Sequence, residues 1–273
     1  MTDHEAKVST FRSLHVPGRP LLLPNPWDIG TARLLASIGF GALATTSSGH
    51  AATLGRPDGS VGKDEALTHA ASLVAAVDVP VSADLEDGFA ESPEDVFATV
   101  NDAVAVGLAG CSIEDYASGA SPRIYDIELA VERVAAAAQA AKSAEPGLVL
   151  TARAENFIRG NPDIADTIAR LRAYQDAGAD VLYAPGLTSI DDIRRVVAAV
   201  DRPVNVLVRP GLAPVAELAQ VGVARISVGG AFSQVALSAL VRAGRELLDQ
   251  GTYEFLHLAA EGRDQVNAAL EDD

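Results

Sequence analysis

Short apolar runs alternate from end to end of this chain with alanine-rich helical patterns, and no other feature constrains its fold as strongly. Strands are expected near 20–24, 40–46, 79–84, 109–114, 148–153, 180–184, 203–208 and 224–229. Helices are expected near 28–38, 63–77, 93–106, 126–143, 161–177, 189–199, 213–221 and 231–250, with a last one near 252–268. Local signals support the pattern. Ser92-Pro93-Glu94 and Asn161-Pro162-Asp163 place an N-cap residue before a proline at the first helical position. Val106-Gly107, Ala177-Gly178 and Val221-Gly222 fall where helices should stop before the next strand.

Roughly thirty residues per βα unit, repeated about eight times, is the size of an α/β, (β/α)8 TIM-type barrel, here with extra C-terminal helices. A doubly wound sheet of six or seven strands is the alternative. No linker or low-complexity segment interrupts residues 1–273, so a single domain is expected, with helices 231–268 in oligomer contacts.

A formal net charge of -16 argues against nucleic acid or an anionic membrane surface as partner, because phosphate binding needs a basic face. The single cysteine, Cys111, excludes an intrachain disulfide and suits a reducing compartment. The polar start of the chain lacks the apolar core of a signal peptide, and no apolar stretch reaches the ~18 residues of a membrane span. A cytoplasmic location is expected.

Three of the strands deliver charge at their C-terminal ends. Val79-Pro-Val-Ser-Ala-Asp-Leu-Glu-Asp-Gly-Phe89 ends in Asp84, Glu86 and Asp87; Gly110-Cys-Ser-Ile-Glu-Asp115 ends in Glu114 and Asp115; Leu148-Val-Leu-Thr-Ala-Arg-Ala-Glu155 ends in Arg153 and Glu155. In parallel α/β folds ligands bind at that end. Asp84 should face the barrel mouth, and Glu86 the same side if the chain stays extended. Such crowded carboxylates repel one another unless a cation sits between them, and Mg2+ suits oxygen ligands with retained waters. Asp87 and Asp115 fit surface or helix-terminal acids better.

Two βα connections are long, Thr45–Ser60 and Tyr116–Tyr125, and both border the acids, which points to functional loops. Cys111 reads as a small core residue. His50 and His69 show no partner pattern. Lys7, Lys63 and Lys142 are the only lysines and none falls at a strand end, which disfavours a Schiff-base aldolase. Gly229-Gly230 suits either an anion at a helix start or tight strand–helix packing.

In this order, Asn25-Pro-Trp-Asp28, Thr46-Ser-Ser-Gly-His-Ala-Ala-Thr-Leu-Gly55, Gly55-Arg-Pro-Asp58, Asp84-Leu-Glu86, Ile113-Glu-Asp115 and Ala152-Arg-Ala-Glu155 resemble the isocitrate lyase / phosphoenolpyruvate mutase superfamily over nearly the whole chain. The resemblance implies a modified barrel that binds Mg2+, with Mn2+ as a substitute, and a small 2-oxo acid or dicarboxylate. By the same resemblance Asp84 is the direct metal ligand, and Asp58, Glu86 and Glu114 hold metal-bound waters. Arg153 binds the substrate carboxylate, and Thr46, Ser47 and Ser48 hold the oxo acid. Arg153, Glu114 and Asp58 are thereby the candidate catalytic residues. The family's helix exchange between subunits implies a homodimer or homotetramer.

Two departures stand out. The family's lyases carry a lysine-cysteine-glycine-histidine run after the equivalent of Glu114, and its mutases a lysine and an asparagine. Residues 117–125 contain no cysteine, lysine, histidine or asparagine. The second acid of the expected Asp-x-Asp pair is the longer Glu86. Arg123 or Tyr125 could replace the lost loop function. The sequence therefore supports an Mg2+-dependent enzyme that cleaves or rearranges a C–C or C–P bond in a small 2-oxo acid, with oxaloacetate favoured. A non-catalytic 2-oxo-acid binder or sensor is the alternative.

Overall fold

The computed structural model describes residues 2–118, 121–143 and 145–271. The chain starts with helix α1 (Asp3–Ser13), which the sequence reading did not anticipate; a capping box of Thr2 and Glu5 holds its first turn. There follow β1 (Leu21–Leu23), α2 (Ile29–Ser37), β2 (Leu43–Ala44), α3 (Ser47–Thr53), α4 (Lys63–Ala76), β3 (Val81–Asp84), α5 (Pro93–Ala105) and β4 (Gly110–Glu114). A small antiparallel ribbon, β5 (Tyr116–Ala117) and β6 (Arg123–Ile124), precedes α6 (Ile127–Ser143). The rest is β7 (Val149–Arg153), α7 (Ile164–Asp176), β8 (Val181–Tyr183), α8 (Ile190–Ala199), β9 (Val204–Leu207), α9 (Val215–Gln220), β10 (Arg225–Ser227), α10 (Ala231–Gln250) and α11 (Phe255–Leu270).

Eight parallel strands pair in the order β1-β10-β9-β8-β7-β4-β3-β2. The Ala44 N–H donates to the Pro24 carbonyl at 3.0 Å, which joins the two ends of that order into a ring. This is the (β/α)8 barrel expected, with α10 and α11 as the additional C-terminal helices. Helix α1 plugs the N-terminal end. Its Phe11 is fully buried among Leu21, Ala42, Ala109, Val149 and Val181, at or just before the first residues of five strands. Phe11 also explains Gly110: a Cβ there would lie 2.6 Å from the phenyl Cε1 and 2.9 Å from the Val149 carbonyl oxygen. With that end closed, the C-terminal mouth is the open one.

The expected caps largely appear. Ser92 accepts from the Asp95 N–H ahead of Pro93, and Gly107, Gly178 and Gly222 all take positive φ behind their helices. One does not. Asp163, rather than Asn161, caps α7, because its carboxylate accepts from both the Ala165 and Asp166 N–H groups; the helix begins two residues later than Asn161-Pro162 suggested. The first long connection is not an open loop either, since α3 fills its first half. Residues 119 and 120 of the second lie outside those described. No helix among the described residues is long and apolar enough to cross a membrane.

Candidate functional site at the barrel mouth

The strand ends surround a cavity of about 250 Å3. Thr46, Ser47, Ser48, Asp58, Asp84 and Arg153 all line it, so six of the eight site residues expected from sequence are brought to one wall-to-wall space. Thr46 reaches it as the N-cap of α3, where its hydroxyl accepts from the Gly49 N–H. Gly49 allows the tight fit: a Cβ there would sit 2.6 Å from the Thr46 methyl and 3.0 Å from the Trp27 Cβ. Asn25 pins the strand ends. Its side chain accepts from the Val228 and Gly229 N–H groups and donates to the Thr45 carbonyl.

Arg153 is the centre of charge. Its Nη1 donates to Asp84 Oδ1 at 2.9 Å, and Nη2 lies 2.8 Å from Glu114 Oε2. Nε and Nη2 both reach Glu155 Oε1, at 3.0 and 2.8 Å. Burial alone would lower the guanidinium pKa, but Glu114, Glu155 and Asp84 outweigh it and hold Arg153 firmly charged. Among the described residues the other Asp84 oxygen, Oδ2, accepts only from Ser47 Oγ, at 3.2 Å. The Asp84 N–H donates to Thr45 Oγ1, which fixes the strand end from which the carboxylate projects.

Glu114 does not line the cavity. It is buried behind Arg153, and Arg159 approaches its second oxygen at 3.5 Å. Burial raises its pKa well above the carboxylate range, with Arg153 pulling the other way. Glu86 also departs from expectation. The chain does not stay extended after Asp84: Glu86 takes φ 49°, and its side chain enters an adjoining hollow shared with His50, His69 and Asp84. Its carboxyl is pushed up to about 8, first by burial and then by Asp84, Asp58 and Asp87.

Asp115 is not a surface acid, as its position had suggested. It is 3% exposed and bound by Arg170, the Tyr174 hydroxyl and the Glu155 N–H, so it braces the Arg153–Glu155 segment from below. Asp87 accepts from the Tyr125 hydroxyl. That contact, with Arg133 stacked over the ring, removes Tyr125 from the cavity, and its pKa is raised to about 12, chiefly by burial. Arg123 pairs with Glu91. Neither residue replaces the lost loop group, and Ser118 and Ser121 face the hollow beside Glu86 rather than the cavity. His50 and His69 stack on each other with centroids 3.8 Å apart, and neither lines the cavity. Cys111 is fully buried in β4, its thiol pushed up to about 12 by burial, as a core residue should be. Each lysine is engaged away from the mouth: Lys7 with the Val77 carbonyl, Lys63 with Asp102, Lys142 with the Gly178 carbonyl. Gly230 starts α10 against Ser48, the packing role open to Gly229-Gly230.

Glu155, which the sequence placed at a strand end without a role, lines the cavity too, and sequence reasoning missed Arg159, Tyr183, Asn205 and Arg225, which also line it. Asn205 and Arg225 were detectable as polar residues inside apolar strand runs.

Could these residues hold Mg2+? Among the described residues no three His, Cys, Asp or Glu side chains converge into a cage. Mg2+ needs none, because it keeps waters and binds through one or two carboxylates together with its substrate. The donor chemistry fits. Asp84 and Asp58 line the cavity, Glu86 shares the adjoining hollow with Asp84, and among the described residues Asp84 Oδ2 accepts only from Ser47.

Comparison with known proteins agrees with this geometry. The phosphoenolpyruvate phosphomutase family profile matches residues 11–248. A solved structure of a Burkholderia cenocepacia J2315 protein, provisionally assigned as a lyase/mutase, superposes with a TM-score of 0.95 at 48% identity, covering 100% of this chain and 99% of that one. An uncharacterized Mycobacterium tuberculosis protein is 34% identical over 242 residues, 88% of this chain and 89% of its own. The 2-methylisocitrate lyase of Escherichia coli is 32% identical over 196 residues, 65% of each chain.

Proposed function

Since the chain belongs to the isocitrate lyase / phosphoenolpyruvate mutase superfamily, an enzyme family of lyases and mutases, we propose that it acts with Mg2+ on a small 2-oxo acid of the oxaloacetate type. The observation that carries this reading is Arg153. One guanidinium, oriented by Glu114 and Glu155, is bonded to one oxygen of Asp84 while Ser47 donates to the other, and Thr46, Ser47 and Ser48 line the same cavity.

In this reading Asp84 would hold Mg2+ directly and Asp58 and Glu86 would hold it through waters, while Glu114, paired behind Arg153 rather than in the cavity, orients that arginine. The ion would supply Lewis-acid stabilisation of the charge that develops when a bond β to the ketone breaks. Arg153 binds the substrate carboxylate through its forked donors and adds a fixed positive charge. Ser47 orients Asp84, while Thr46 and Ser48 position the oxo acid. Arg159, stacked over Tyr116 at 3.7 Å, lines the same cavity and adds a second positive charge to it.

The reaction is narrowed by the loop. Cleaving a tricarboxylate such as 2-methylisocitrate leaves a carbanion that needs a positioned acid, and a missing general acid typically costs ~10²–10⁴-fold. The described loop residues offer serines, which are far weaker acids than a thiol. Oxaloacetate tolerates the loss, because its enolate can take a proton from water. Steady-state turnover of oxaloacetate, isocitrate and 2-methylisocitrate, measured side by side with Mg2+, tests this. Turnover of oxaloacetate alone is expected. Cleavage of either tricarboxylate near the ~10 s⁻¹ typical of enzymes would overturn it.

The active form is proposed to be a homodimer or homotetramer. Helix α10 buries only Ser233, while Val235, Leu240 and Leu248 are 67%, 68% and 85% exposed; Leu256 and Leu258 of α11 are also exposed. An apolar surface of this extent needs a partner, and a second copy offers the same surface. Light scattering at micromolar concentration should give at least twice the chain mass; a monomer would refute the assembly.

A further inference from the structure

Barrel interiors are usually filled with branched apolar residues. Beneath Arg153 this one is polar, and at its base lies a second arginine. Arg225, on β10, is 4% exposed yet lines the cavity. Its Nε donates to Asn205 Oδ1 at 3.0 Å, Nη2 donates to Thr151 Oγ1 at 3.0 Å, and Nη1 lies 3.1 Å from His15 Nε2. All three partners are uncharged side chains. The histidine is held neutral, its pKa lowered to about 3, first by burial and then by Arg225 itself.

Buried arginines are ordinarily paired with an acid, because an uncompensated charge in a low-dielectric interior is costly. Arg153 has three acids around it; Arg225 has none among the described residues. Its pKa is lowered to about 10, chiefly by burial, with Tyr183 opposing the shift and Arg153 adding to it, so it remains protonated near neutrality. The guanidinium carries five N–H donors and the three contacts leave donors free. A fixed cation with spare donors, facing a polar cavity, is an anion receptor. The aromatic ring of Tyr183 lies on the same wall, 5.2 Å from the Arg153 guanidinium, and its hydroxyl bonds Ser227 on β10, so the two arginines share one cavity.

We propose that Arg225 is a substrate-binding residue that receives the distal carboxylate of a 2-oxo dicarboxylate. This rests on the 2-oxo-acid reading above and adds to it the residue that reads the second carboxylate: the oxo-acid end lies between Asp84, Arg153 and the Thr46–Ser48 segment, and the second carboxylate at Arg225.

Calorimetry with the full-length protein tests this using two acids of equal chain length, oxaloacetate and 2-oxobutyrate, which differ by the distal carboxylate. In the presence of Mg2+ the wild type should prefer oxaloacetate by ~10–100-fold, the range of a charge-assisted hydrogen-bonded contact. Arg225→Met should erase that preference while leaving 2-oxobutyrate affinity nearly unchanged, and Arg225→Lys should restore part of it. Should the buried substitution prevent folding, judged by melting curves, Thr151→Val keeps the charge, releases Nη2, and should weaken only the diacid. Succinate without Mg2+ separates this inference from the reading it rests on. If 2-oxobutyrate fails to bind but succinate binds in an Arg225-dependent way, the 2-oxo-acid reading falls and the receptor stands. Equal affinity of the wild type for both oxo acids, a preference that survives Arg225→Met, or displacement by inorganic phosphate with no diacid preference would overturn the receptor.

Discussion

Arg153→Ala is expected to lower stability by about 3–5 kcal/mol, the usual cost of removing one partner from a buried ion cluster. For a chain of this size that is a fall in melting temperature of roughly 10 °C. The reason is that Arg153 is the guanidinium shared by Asp84, Glu114 and Glu155; the partly exposed Arg159 reaches only the last two, and both of those acids are almost wholly buried. Oxo-acid binding should be lost in the same variant. Arg153→Lys should recover little, because one ammonium cannot serve three carboxylates from a planar fork. Thermal unfolding by circular dichroism, paired with calorimetry, reads both effects. A variant that melts within ~2 °C of wild type and still binds an oxo acid would remove Arg153 from the centre of the site.

Asp84→Ala should separate binding from stability. Its loss leaves Arg153 with Glu114 and Glu155, so unfolding should change little. The Mg2+-dependent affinity for a 2-oxo acid should drop by more than ~100-fold, since outer partners of metal ligands alone cost 10–100-fold. Asp84→Asn, which keeps the shape and the contact with Ser47, should behave like alanine if the carboxylate is the direct ligand. Undiminished calorimetric binding by either variant would sink that assignment.

The contrast between these two positions follows from how each is held. Asp84 is a strand-terminal residue, so β3 alone aims it at the mouth. Arg153 acquires its charge environment from three separate chain segments, and its loss is felt in the folded state as a whole.

Much of this was legible beforehand. The alternation of apolar runs with helical patterns specified eight strands and their helices, and a parallel barrel sends every strand's C-terminal end to the same mouth. Placing Asp84, Glu114 and Arg153 together therefore required only that each sit at a strand end. The Ser92-Pro93 cap was readable for the same reason: N-capping is settled within one helical turn. Where two caps competed locally, Asn161 and Asp163, composition could not choose between them, and the bidentate acceptance at Asp163 decided.

What the sequence determined by itself is thus whatever depends on near neighbours along the chain: the strand and helix periods, the open mouth, and the acids and hydroxyls that face it. Tertiary structure alone decided which of these groups meet. Glu86 leaves the strand direction because the turn after Asp84 forces it into a left-handed conformation, and Asp115 becomes a buried brace through Arg170 and Tyr174 on α7. Arg225 meets Thr151 and His15 across intervals of 74 and 210 residues. Such encounters depend on how the ring closes and how far a long side chain reaches across it, and no periodicity within the chain encodes that distance.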